Sequence, residues 1–250
     1  MDPNVTAAMI GAVAGVVVVG VERVFEALTK RRDRLAQINI RNLAPLRLYC
    51  EETFFRLHEI QRLVEQNGDH LDFLDAVQNT EQISTKNISW FNEDGCYLVS
   101  STYFNACLFG AIRKVREEMP YLRLRSGDDT RLLNLMFAVN QAFLQNLGVF
   151  YAIQHTIGAE MWARAEQRFL TYREFSERLM TEKERTWFDR LFLFYLQAAR
   201  GARKDNIQNA LKAIMSLAEF IDSAVHGGNA IKARLHSEGV QHVSSGKEFV

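Results

Sequence analysis

From Val5 to Val21 the chain runs for seventeen residues without a charge, and Thr6 is the only polar side chain among them. A helix of that length spans roughly 25 Å. The hydrocarbon core of a bilayer is about 30 Å thick, so the run is at the short end of what can cross. Extension through Val24, Phe25 and Leu28 closes the gap if Glu22 and Arg23 snorkel or face a partner. In lipid no water satisfies the backbone, which makes a helix the required conformer despite the weak helix propensity of valine and glycine.

The flanks orient the run. Before it stand Met1, Asp2, Pro3 and Asn4, without a Lys or Arg; after it come Arg23, Lys30, Arg31, Arg32 and Arg34. The positive-inside rule places the N-terminus outside and the bulk of the chain in the cytoplasm. A cleaved signal peptide would need a basic n-region, which is missing. A buried helix of a water-soluble fold is the plainer alternative for so short a run. Ala7, Gly11 and Gly15 recur at every fourth position, the small-xxx-small spacing that lets membrane helices approach closely, and they are the expected self-association face.

The remaining sequence reads as helix nearly throughout. Hydrophobic residues make up 48% of the chain, enough for a sizeable core, and only Pro3, Pro45 and Pro120 interrupt helix formation. Ala44-Pro45 is expected to end or kink the first helix. Leu46, Tyr49, Phe54, Leu57, Ile60, Leu63 and Val64 follow at helical spacing up to Asn67-Gly68, and Asp69 reads as the cap of a short helix through Val77. A polar connector from Gln78 to Asp94 carries Trp90 and Phe91. Helices are expected at about 95–119, 129–157, 172–180, 182–201 and 204–225. Thr171 with Glu174, and Thr181 with Glu184, read as capping boxes.

The fold class is therefore all-α, an N-terminal single transmembrane helix followed by a cytoplasmic multi-helix bundle. Residues 1–30 form the membrane anchor (span about 5–21, extending to 28), 31–225 the helical domain, and 226–250 a flexible tail. Leu132 to Ile153 is a second charge-free stretch of twenty-two residues. Its five amides are costly in lipid, so it reads as the central core helix rather than a second span.

Chemistry-bearing motifs are sparse. His58-Glu59 starts an HExxH pattern that Arg62 leaves open, so the second metal ligand is missing. The Arg–His pair of small helical RNA-cleaving domains is approached by Arg62 and His70, which are too far apart. Asp69, Asp72 and Asp75 suit the first turns of a helix as well as a hard cation. His155 and Glu160 do not share a helical face, and His155 reads as a core histidine. His226, His236 and His242 lie at or beyond the last helix. Thirty basic and thirty acidic residues cancel, which argues against a nucleic-acid partner. Cys50, Cys96 and Cys107 form no CxxC pair and are expected reduced.

Six cations gather between Arg113 and Arg131. Of these, Arg123, Arg125 and Arg131 surround the loop before a helix N-terminus, a candidate site for a small phosphate ligand. Glu117, Glu118, Asp128 and Asp129 quench that field in part. No cofactor and no catalytic residue is expected. The expected partners are membrane lipid, further copies of the chain and a cytoplasmic protein. Acting by interaction, or assembling a membrane-perturbing pore with Glu22 and Arg23 at its inner mouth, is the expected role; a tethered enzyme, a nucleotide-sensing domain or a plain scaffold is the alternative.

Overall fold

A computed structural model of the chain describes residues 23, 25, 26, 29, 30, 37, 41–66, 71–122, 124 and 126–224. The run from Val5 to Val21 lies outside them, as do Ala7, Gly11, Gly15, Glu22, Arg31, Arg32, Arg34 and the tail. The described part is all-α apart from one short hairpin. Among the described residues no helix is long and apolar enough to cross a membrane.

Helix α1 covers 41–66 and buries Leu43, Leu46, Cys50, Phe54, Leu57, Ile60 and Val64 along one stripe. The helix continues through Pro45 and does not end there. Arg41, whose carbonyl Pro45 cannot serve, is exposed, so water can take that carbonyl, and the burial of Leu43 and Leu46 on either side holds the segment helical. Upstream, Arg23, Phe25, Glu26, Thr29, Lys30 and Gln37 are helical and exposed, and Lys30 faces Glu26 at 3.5 Å.

After α1 the expected short helix before Val77 is only a turn, closed by bonds from the Leu74 and Asp75 amides to the Leu71 carbonyl. Two 3-10 turns follow, Thr80–Thr85 and Trp90–Asn92. Trp90 and Phe91 are buried edge to face at 5.3 Å.

Helix α2, Cys96–Glu118, is the axis of the molecule. Fifteen of its twenty-three residues are buried, whereas α3, Asp128–Leu144, buries only six of seventeen. The centre therefore falls to α2, not to the 132–153 stretch. That stretch also breaks: α3 ends at Leu144, Asn146 and Leu147 take positive φ, and α4 begins at Tyr151 and ends at Glu160. The cause is a set of side-chain donors that satisfy the carbonyls a continuous helix would have used internally. Asn206 reaches the Ala142 and Gln145 carbonyls at 2.8 and 2.9 Å, Arg203 that of Asn146 at 2.6 Å, and Arg190 those of Leu147 and Gly148 at 2.7 and 3.0 Å.

The strands Trp162–Ala163 and Arg168–Phe169 then pair antiparallel, a hairpin the residue pattern did not announce. Helix α5, Tyr172–Leu179, starts at Thr171 with the expected capping box fully formed. The second box does not form: the Thr181 side chain makes no capping bond. The expected long helix there splits into α6, Glu182–Arg185, and α7, Asp189–Ala199. Phe188, in the turn between them, is buried edge to face on Phe175 at 5.0 Å. Helix α8, Lys204–Ala224, lies on α3. The stretch Leu191–Leu196 lies within α7 and is mostly buried.

Helices α1 and α2 run antiparallel. The Tyr97 hydroxyl at the start of α2 donates to Glu59 at 2.6 Å, and Tyr49 meets Cys107 farther along. Arg41 then falls beside Lys114. On the other side, Arg47 binds the buried Asp222 carboxylate of α8 at 2.5 Å.

Candidate functional site

The candidate site grows from a contact between two backbones. Helices α2 and α4 cross at Gly110 and Gly158. A Cβ at Gly158 would lie 2.8 Å from the Phe109 carbonyl carbon and oxygen and 2.9 Å from the Gly110 nitrogen. A Cβ at Gly110 would meet the Phe169 ring at 2.7 Å and the Gly158 oxygen at 3.1 Å. Only glycine lets the axes come this close. The close crossing seats the hairpin against α2.

Three groups under the hairpin hold it there. Tyr103 donates to the Leu170 carbonyl at 2.7 Å, and Tyr49 packs edge to face on Phe169 at 5.0 Å. Cys107 hydrogen-bonds to both tyrosines, and burial pushes its thiol up to about 12. A thiol so placed is structural, since the thiolate is the reactive form.

Between α2, α4 and the hairpin lies a cleft of about 290 Å³. Its walls carry Arg113 and Lys114 from α2, Trp162, Arg164 and Gln167 from the hairpin, and Glu117 and Glu118 from the end of α2. The Lys114 ammonium sits 3.6 Å from the centroid of the Trp162 ring, whose edge contact with Phe169 (5.0 Å) fixes its position. Glu117 is taken by Arg113 at 2.9 Å. Among the described residues neither Lys114 nor Arg164 is within ion-pair distance of a carboxylate. Burial lowers the pKa of Lys114; Glu118 counters this and Arg41 adds to it. His155, on α4, is lowered by the same desolvation and by Arg113 and Arg116. Cations are thus concentrated on this side and incompletely neutralised.

Across the hairpin lies an open groove of about 800 Å³ with the opposite lining, including Glu160, Glu166, Glu174, Glu177 and Glu184. Most of these acids have partners. Glu160 meets Arg178 at 3.3 Å, Glu177 meets Arg173 at 2.8 Å, and Glu174 takes both Arg168 Nη1 and Nη2 at 2.7 Å. The Arg168 fork and the Thr171 amide hold the Glu174 carboxyl far below the usual carboxylate range.

The residues expected to matter scatter. Arg123 and Arg125 lie outside the described residues, and Arg131 sits on α3 over the Phe220 ring of α8 at 5.4 Å, not in the cleft. The other three members of that cation cluster, Arg113, Lys114 and Arg116, belong to α2. Asp75 is bound by Arg200 at 2.6 Å, and Asp69 is outside the described residues. His155 is exposed on α4, not a core histidine, because α4 turns Gln154, Ile157 and Gly158 inward instead. Arg23 and Lys30 are described and exposed. Trp162, Arg164 and Gln167 escaped the sequence reading. Their signal was faint: two aromatics seven apart, Trp162 and Phe169, around the polar turn Arg-Ala-Glu-Gln. No family model, curated protein or solved structure matches this chain.

Proposed function

We propose that this chain is a membrane-tethered receiver that acts by binding and self-association. The observation that carries the reading is the seventeen-residue charge-free run followed by Arg23, Lys30, Arg31, Arg32 and Arg34. In this reading the run spans the bilayer with the N-terminus outside, and the helical domain stands on the cytoplasmic side. Ala7, Gly11 and Gly15 form the face through which spans associate. The exposed helical residues Arg23, Phe25, Glu26, Thr29, Lys30 and Gln37 suit a stem between span and bundle. The domain receives a cytoplasmic partner or ligand, and association of the spans transmits the event. In its stronger form the associated spans line a pore with Glu22 and Arg23 at the inner mouth.

The test has two arms. The full-length chain is expected to stay in the pellet of carbonate-washed membranes; release as a monomer would end the anchor reading. The Gly11→Leu/Gly15→Leu variant is expected to lose oligomer size in detergent, and an unchanged size would remove the association face.

A further inference from the structure

We propose that the cleft between α2, α4 and the hairpin binds the phosphoryl group of a phosphorylated ligand, gripped by Lys114 and Arg164 and flanked by Gln167. The proposal rests on the reading of the domain as a receiver and names the chemistry it receives.

Three observations converge. The cleft is concave and of ligand size, with a floor set by the rigid glycine crossing. Its two cations come from different elements, Lys114 from a central helix and Arg164 from the hairpin turn, and both line the same cleft. Neither has a carboxylate partner among the described residues, although Arg113, their neighbour, is occupied by Glu117.

Electrostatics agree with this geometry. Lys114 is partly desolvated against an indole and lies near Arg41, and both disfavour its charge. An anion would relieve that, whereas a cation or a neutral ligand would not. Arginine and lysine together supply a fork and a point charge, the usual pair for a phosphoryl group. The Gln167 amide, which donates to the Arg164 carbonyl at 3.0 Å, adds a neutral donor. Glu118 also lines the cleft, and it disfavours a monoanion less well held than phosphate. Arg164 stands on the rim shared with the acidic groove across the hairpin, where the other arginine of the lining, Arg178, is engaged by Glu160 and glutamates predominate.

The phosphoryl group could come from a soluble phosphate ester or from a lipid headgroup, and the experiment separates them. The full-length chain is placed in phosphatidylcholine nanodiscs and titrated with pyrophosphate, with calorimetry and the melting temperature as readouts. A parallel sample carries phosphatidic acid in the disc and no soluble anion. Binding of pyrophosphate in pure phosphatidylcholine assigns a soluble ligand. A raised melting temperature with phosphatidic acid alone assigns a headgroup.

In either case Lys114→Gln and Arg164→Gln are each expected to weaken binding about tenfold, the loss of one charge-assisted hydrogen bond. Arg164 is exposed, so its variant should fold normally. Lys183→Gln, on the exposed side of α6, is expected to bind as the parent does. The proposal is overturned if neither anion source raises the melting temperature or gives heat, or if the double variant binds as tightly as the parent. Loss of anion binding with carbonate-resistant membrane retention would sink this site alone. Release from membranes with binding intact would sink only the anchor.

Discussion

The two sides of the Trp162–Phe169 hairpin both carry charged side chains and differ in how those charges are paired. On the α5 side, arginines 168, 173 and 178 each meet a glutamate. On the α2 side, Arg113 is closed by Glu117 while Lys114 rests on an indole and Arg164 reaches into solvent. Pairing, more than the presence of charge, separates the two sides: Lys114 is partly desolvated and outside ion-pair distance of a carboxylate among the described residues.

The largest effect that would break this comparison comes from the crossing beneath both sides. Gly158→Ala is expected to cost about 3 kcal/mol in denaturant unfolding, because every atom near the new Cβ is backbone and cannot swing aside. Gly110→Ala should cost less, since its nearest obstacle is the Phe169 ring, and should disturb the hairpin more than the core. Equal costs would show that the ring is as fixed as the backbone.

A middle-sized effect tests the paired side. Thr171→Ala removes the cap of α5 and is expected to cost about 1 kcal/mol. The Glu174 carboxyl is depressed in the folded state, so its contribution to stability is complete above the unfolded value of about 4.3 and is lost as the pH falls below it. The Glu174→Gln variant is therefore expected to lose stability at neutral pH and to show a flatter acid limb in a melting-temperature profile. An unchanged acid limb would mean that Arg168 and Glu174 do not pair in solution.

The smallest effect is an expected silence. Arg173 and Glu177 form a solvent-facing pair one turn apart, and Arg173→Ala should leave the unfolding midpoint where it is. A clear loss would show that the acidic groove is a cooperative network, and the contrast between the two sides would need redrawing.

Much of the helical framework was readable from local pattern. The stripe Leu46–Leu57–Ile60–Val64 carries helical periodicity, and the same residues are buried in α1. Pro120 marks the end of α2, and the Thr171–Glu174 box starts α5. These features depend on residues three or four apart, and the sequence contains that geometry directly. The failures have a common cause as well. Leu132–Ile153 reads as one apolar helix, but Asn206, Arg203 and Arg190, more than forty residues later, supply donors that make a break inexpensive. The Thr181–Glu184 box has the right spelling, yet its capping bond is not made. At Pro45 the local rule gave way because both neighbouring leucines are buried.

The candidate site was less legible than the fold. Arg113 and Lys114 stood in the cation cluster, but their companions in the cleft come from a hairpin with strands of two residues, too short for any alternation to show. The expected helix stopped just short of Gly158, whose contact with Gly110 joins residues forty-eight positions apart.

By itself, then, the sequence determined the helical class, most helix ends, and the apolar run with its basic flank, because each rests on spacing along one element. Tertiary structure alone decided that α2 is the axis, that the 132–153 stretch divides, and that Lys114 faces Trp162. Those outcomes depend on which distant donors, rings and carboxylates arrive at a point in space, and no local period encodes that arrival.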